Sequence, residues 1–460
     1  MEFRNLTPFQ ALCFSALDVD DREHRVIAMK VGYRLVSTNG TDFDAVAIDN
    51  DPVPLCMADE YDGEVGESNV REESDLAPYK PRCDVVLRGA AHAPEGLRLQ
   101  SWDVRIRVSE PLPEAPLSVD EPYPLSPGMA LNARQRAELE QAQADAARRR
   151  AEAPRFRPLL DKTLRVTGPR HFRRDALTLW RGWRLLEPEP ASTVAMTWAN
   201  AFGGRSIVRN PERLRAQDEP EFLLNEVCFS NPLGRGWVDH RYLRLVRKTG
   251  QDLPRAIPAP QIEAPDAPIR QLRFCKNPQG DSTAAQMARS AGTYGASPAG
   301  MGIVGRAWAP RLALAGTYDA AWLEKRWPYL PKDFDFGYWN CAAVDQQVPY
   351  PSPHARVELW NLTDPEVTPR GYLSASLPGH RPFVLLRFEN GHMLPFRMVL
   401  DTLIVDTERM MLICTYRIRI AADAPIRVAE LRYEADPTAP LVRGPAQTGP
   451  AAALSHPEVV

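Results

Sequence analysis

The stretch Trp102-Asp103-Val104-Arg105-Ile106-Arg107-Val108-Ser109 decides the fold class. Its apolar residues fall at every second position, with Asp103, Arg105, Arg107 and Ser109 between them. Successive side chains of a strand point to opposite faces, so this pattern offers one face to a core and one to water. The same period runs through Ile27, Met29, Val31, Tyr33 and Leu35, with Lys30, Gly32 and Arg34 on the opposite face. Shorter apolar runs of strand length follow at 83–87, 164–166, 177–186, 193–199, 357–362 and 383–388. Residues 396–405 and 410–420 flank Asp406-Thr407-Glu408-Arg409, which reads as a hairpin loop. Serial strands broken by proline and glycine loops predict a mainly β protein. Antiparallel sandwich or barrel-like domains are expected rather than βαβ units.

The 44 prolines among 460 residues fit that reading, because proline favours loops, edges and linkers over long helices. The length suggests an N-terminal β-rich domain over 1–250 and a C-terminal one over 301–434. A proline- and glycine-rich linker or extended region lies between them at 251–300, and a disordered tail follows at 435–460. One inserted, charged helix is expected near 129–153, capped by Asn132 and ending in Arg148, Arg149 and Arg150. Its one large apolar residue is Leu139, too little to dock it firmly on a core. A second, short helix is expected near Asp319, with Thr317 as cap and Pro328 ending it.

A formal net charge of −3 and a pI of about 6.3 leave no basic field for nucleic acid, and no lysine block suggests a membrane surface. The N-terminus lacks a basic start and long apolar core, and no stretch approaches a membrane span, so a cytoplasmic location is expected. Seven scattered cysteines without CxxC spacing read as free thiols in a reducing compartment.

The chemistry-bearing motifs are weak. Gly300, Gly302 and Gly305 match GxGxxG, but the motif neither follows a clear strand nor opens a helix, so it reads as a glycine-rich loop. The acidic segment 59–75 lacks the ligand spacing of a calcium loop, and reads as a solvated acidic loop or a docking surface. Asp18-Val19-Asp20-Asp21 starts like a calcium loop, but Arg22 stands at a ligand position. The eight histidines are dispersed and no nucleophile elbow is present. No metal or organic cofactor is expected. Asp333 and Asp335 are expected to orient a turn. Trp308, Tyr318, Trp322, Trp327, Tyr329, Phe334, Phe336, Tyr338 and Trp339 crowd one segment, as core rings or as interface anchors.

Several strings, in order along the chain, resemble a family first catalogued as a domain of unknown function and associated with type VI secretion. They are MEFRNLTP from residue 1, PLCMADEY from 54, VREESDLAPYKPRCD from 70, NAFGG from 200, NPLGRG from 231, AGTYDAAW from 315 and LPKDFD from 330. Trp339-Asn340 and Asp345-Gln346 complete the set. The resemblance spans roughly residues 1–420. It implies a non-enzymatic adaptor or chaperone that binds a PAAR- or Rhs-type effector and helps it join the VgrG spike. It carries over no catalytic residue. Two features depart from the family pattern: the inserted helix, and the string Met196-Thr197-Trp198-Ala199 before NAFGG.

Under this reading Tyr318, Trp322, Arg326, Trp327, Asp59 and Glu60 are the expected partner-binding residues. The alternatives are a glycan-acting hydrolase using Asp333, Asp335 or Asp345, and a carbohydrate-binding module built on the tryptophans.

Overall fold

The structure, a computed structural model, describes residues 1–112, 141, 155–174, 183–204, 231–239, 255–275 and 298–442. The expected helix at 132–152 falls outside these residues apart from Gln141, and so does the end of the expected tail, 443–460.

The fold is mainly β. Its centre is a curled sheet of twelve strands among the described residues. From one edge the order is Ile262–Glu263, Phe156–Thr167, Ser101–Pro111, Arg356–Trp360, Tyr372–Ser376, Asp42–Ala47 and Glu23–Ser37. It continues through Met411–Ala421, Val399–Asp406, Cys83–Arg88 and Gln347–Val348. Glu23–Ser37 is long enough to take two neighbours on one edge, Asp42–Ala47 and Ala11–Leu17. A second, four-stranded sheet pairs Glu2–Asn5 in parallel with Ile426–Glu434, followed by Arg381–Phe388 and Met393–Arg397.

The alternation in Ser101–Pro111 is realised as expected. Trp102, Val104, Ile106 and Val108 are buried, while Arg105 and Arg107 reach the outer face and pair with Asp161. The expected hairpin is also present, with Asp406 opposite Met411. Glu23–Ser37 departs from the half-buried expectation. Ile27, Met29, Val31 and Tyr33 enter the core, but Lys30 on the other face is 0% exposed. Segment 53–80 covers that face, and Gly32 makes room for it: a Cβ there would lie 2.4 Å from Val53 Cγ2.

The sheet interleaves the two ends of the chain. Met411–Ala421 lies antiparallel to Glu23–Ser37, and Cys83–Arg88 runs parallel to Val399–Asp406. Arg356–Trp360 sits beside Ser101–Pro111. One hydrophobic cluster joins Ile27, Val104, Leu359 and Leu412, so the boundary at 251–300 does not divide the core. Part of that segment is itself built in. Ile262 and Glu263 pair with Val166 and Arg165, at a sheet edge where neighbouring prolines cost no ladder bond. No helix among the described residues is long and apolar enough to cross a membrane.

Candidate partner-binding surface

The acidic segment is solvated at Glu60, Asp62, Glu64 and Glu67, as expected, but its C-terminal end is buried. Glu72, Glu73 and Asp75 are 9%, 8% and 8% exposed, and each meets a cation. Lys30 Nζ lies 2.6 Å from Glu72 and also pairs with Asp75. Arg88 joins Glu72 at 2.7 Å to Asp406 at 3.2 Å. Arg311 Nη2 donates to Glu73 at 2.7 Å, and Arg306 joins Glu73 to Asp59 at 3.5 and 3.1 Å. Charge is tolerated inside only when it is paired and hydrogen-bonded, and this segment meets that condition at every buried carboxylate.

A second buried node lies next to it. Asp84 Oδ2 accepts from Lys80 Nζ at 2.9 Å and from the Cys341 backbone N–H at 2.9 Å. Its Oδ1 accepts from Asn340 Nδ2 at 3.1 Å and from the Ala342 N–H at 3.0 Å. Gln346 Nε2 donates to the carbonyls of Val85 and Met301. The strings around 80–84, 339–340 and 345–346 thus meet at one internal polar junction.

These groups set an acid limit. Burial alone would raise the carboxyls of Asp84 and Glu72. Lys80 and two backbone N–H groups outweigh it at Asp84, Lys30 and Arg88 outweigh it at Glu72, and both sit below the usual range. A depressed carboxyl contributes stability above its unfolded-state value, about 3.9–4.3, and loses it as pH falls through the folded value. Burial lowers His24, His92 and His380 below the ordinary histidine range, so a shallower decline begins near pH 6.5. Burial is outweighed by carboxylates at Lys30 and Lys80, whose values are raised, so their contribution persists until the pH passes the ordinary lysine value. Urea midpoints are expected to be flat from about pH 7 to 8, to decline above about pH 8.5, where thiols such as Cys56 and Cys414 ionise in the unfolded chain but not in the folded one, and to fall steeply below about pH 4. An unchanged midpoint at pH 3 contradicts this account.

The aromatic segment divides into two sets. Trp308 and Phe334 are buried, and Trp308 meets Trp198 edge to face at 5.0 Å. Tyr318, Trp327 and Tyr329 are 53%, 65% and 42% exposed, and Leu323 is 63% exposed. Leu323 lies in a short helix, Ala320–Lys325, and the three rings flank it along the chain. Its cap is Asp319, which accepts from the Trp322 N–H at 2.8 Å, and not Thr317. Thr317 is instead held by Asp333, which accepts from its backbone N–H and its hydroxyl, while Asp335 accepts from Gly337. Both aspartates therefore orient turns, as expected. Trp322 is half-buried; its ring lies 4.7 Å from Tyr318, and its Nε1 donates to the Tyr329 carbonyl.

Arg326 ties this turn to a distant loop. It donates to the Leu330 carbonyl and pairs with Asp21 at 2.7 Å, and Lys332 donates to the Val19 carbonyl. The six expected residues are thus not one cluster. Tyr318, Trp322, Arg326 and Trp327 share the helical turn, whereas Asp59 lies beside Arg306 and accepts from the Ser74 N–H. Glu60 is exposed in a short strand, opposite Glu72. The sequence pattern put Lys30 on the face away from the core and singled out neither Arg88 nor Arg311.

The glycine-rich loop packs against the core: a Cβ on Gly300 would lie 2.8 Å from the Trp198 ring, and Met301 O accepts from the Leu87 N–H. Asp345 pairs with Lys162 at 2.8 Å. Among the described residues, no three His, Cys, Asp or Glu side chains are grouped to hold a metal. Cys13, Cys56, Cys83, Cys341 and Cys414 are free, and burial pushes the thiols of Cys56 and Cys414 up to about 12, which makes them poor nucleophiles.

Comparison with curated proteins and with solved structures finds no match. A family model does match, over residues 20–119 and 131–417, and so covers most of the strands described above. The chain therefore belongs to the family described as an uncharacterized protein conserved in bacteria, DUF2169.

Proposed function

We propose that this protein is a non-enzymatic adaptor that binds a PAAR- or Rhs-type effector and helps load it onto the VgrG spike of a type VI secretion system. The observation that carries the reading is the exposure of Tyr318, Leu323, Trp327 and Tyr329 in and beside the short helix Ala320–Lys325. Large rings left in water cost solvation free energy, and grouped, rigidly held rings are typical anchors of protein interfaces. Arg326 holds this turn against the 18–22 loop, so the cluster is preorganised. The ordered strings that resemble the secretion-associated family supply the partner class. The hydrolase alternative rests on Asp333, Asp335 and Asp345, each of which is engaged locally by a turn or by Lys162.

The test is co-purification of the chain with the effector encoded beside it, followed by a competition assay with the adaptor gene deleted. Trp327→Ala and Tyr318→Ala are expected to leave the melting temperature within about 2 °C, because both side chains are exposed. Loss of an aromatic anchor typically costs about 2 kcal/mol or more, so Kd should rise about thirty-fold. If no complex survives gel filtration at micromolar concentration and the effector kills normally without this protein, the reading is wrong. If the complex forms and neither substitution weakens it, the face is wrong.

A further inference from the structure

The strand Ala11–Leu17 pairs along its whole length with Glu23–Ser37. Its other edge makes no backbone hydrogen bond among the described residues. Sheet edges are normally guarded by brevity, charge or proline, because unpaired N–H and C=O groups recruit other strands. The other outermost strands of the two larger sheets follow that rule among the described residues. Met393–Arg397 carries Pro395 and Arg397, Glu2–Asn5 carries Glu2 and Arg4, and Ile262–Glu263 and Gln347–Val348 have two residues each. Ala11–Leu17 reads ALCFSAL: seven residues with no charge, proline or glycine.

The strand ends at a fixed turn beside a cleft that holds two arginines unpaired among the described residues. Asp18 accepts from the backbone N–H groups of Asp20 and Arg22, and Arg326 and Lys332 hold Asp21 and Val19. Beyond the turn lies a cleft of about 710 Å³ lined by Arg22, His24, Arg25 and Arg419 together with Asp18, Glu23 and Asp423. Asp18 is occupied by the turn, and Glu23 lies 3.5 Å from Arg25. Among the described residues Arg22 has no carboxylate partner. Arg419 has none either; it rests on the rings of Tyr79 and Phe336, at 5.0 and 5.9 Å. Two guanidinium groups thus face the cleft without an ion-pair partner among the described residues.

We infer that Ala11–Leu17 accepts an extended segment of the partner as an added strand, with an acidic end of that segment seated between Arg22 and Arg419. Main-chain pairing would supply affinity and the guanidinium groups would supply direction. The inference rests on the adaptor reading, and it extends the docking surface from the Trp327 turn across the shared 18–22 loop.

The experiment uses the full chain with the PAAR- or Rhs-type effector encoded beside it, with and without complex formation, read by amide hydrogen exchange. Amides of Ala11–Leu17 are expected to exchange at least ten-fold more slowly in the complex. Arg22→Glu, at an exposed position with no ion pair among the described residues, should weaken binding at least ten-fold with an unchanged melt. A complex that forms without protecting this strand overturns the inference and leaves the adaptor reading standing. Unweakened binding by Arg22→Glu overturns the acidic occupant. Protection that appears without effector and rises with protein concentration assigns the edge to a second copy and also overturns it. Failure to form any complex sinks the adaptor reading and this inference together.

Discussion

Asp84→Ala is expected to cost about 3–5 kcal/mol of stability, the usual penalty for stranding a buried partner of an ion pair. Asp84 is 0% exposed and Lys80 is 6% exposed, so water cannot replace the lost carboxylate. The substitution leaves the Lys80 ammonium with Thr402 Oγ1, at 2.8 Å, as its one remaining oxygen partner among the described residues. It also orphans the backbone N–H groups of Cys341 and Ala342, which now donate to Asp84. Denaturant titration of the purified chain measures the loss. Lys80→Met added to Asp84→Ala should recover part of it, because the uncompensated charge is then gone. Asp84→Asn should fall between, since it keeps an acceptor oxygen. A loss below about 1 kcal/mol for Asp84→Ala means that the junction is open to water.

Strand periodicity was legible in the sequence wherever one face of a strand meets water. Ser101–Pro111 alternates because its outer face carries Arg105 and Arg107 to the surface. The Lys30 environment was not legible in the same way. Period-two patterning separates two faces of a strand but does not say what covers the second. There the cover comes from segment 53–80, and Lys30 pairs with Glu72, forty-two positions away along the chain. A cue was nonetheless present. Ala28 and Gly32 flank Lys30 on its face, and small neighbours around a lone charge leave room for a close-packed segment. The interleaving of the two ends of the chain was invisible for a related reason. Hairpin rules join neighbouring strands, whereas the parallel pairing of Cys83–Arg88 with Val399–Asp406 joins residues more than three hundred positions apart. The aromatic segment was legible as a cluster. Which rings were core and which were surface depended on the helix Ala320–Lys325, whose brevity leaves Leu323 and Trp327 uncovered.

Trp198→Ala is expected to cost a similar amount, about 3–5 kcal/mol, through cavity formation. Trp198 is 3% exposed, and its ring meets Trp308 on one side and the Gly300 backbone on another. Its carbonyl accepts from Asn231 Nδ2, which also donates to the Phe202 carbonyl, each at 2.9 Å. That bond brings the NAFGG and NPLGRG strings together. A Cβ on Gly203 would lie 2.2 Å from the Asn231 carbonyl oxygen, and one on Gly234 would lie 2.4 Å from Asn231 Nδ2. The two glycine-rich strings are therefore a packing device in which bare backbones approach each other around the Trp198 carbonyl. Trp198→Ala removes the ring that fixes this device, so both stability and the order of 200–204 and 231–236 should fall. Trp198→Phe should cost about half as much as Trp198→Ala, because most of the ring volume stays and Trp198 Nε1 makes no hydrogen bond among the described residues to be lost. Amide exchange in 200–204 that rises along with the fall in the denaturant midpoint supports this account. If Trp198→Ala lowers stability by less than about 1 kcal/mol, the strings belong to a surface element, and their role must be sought in direct contact with the partner.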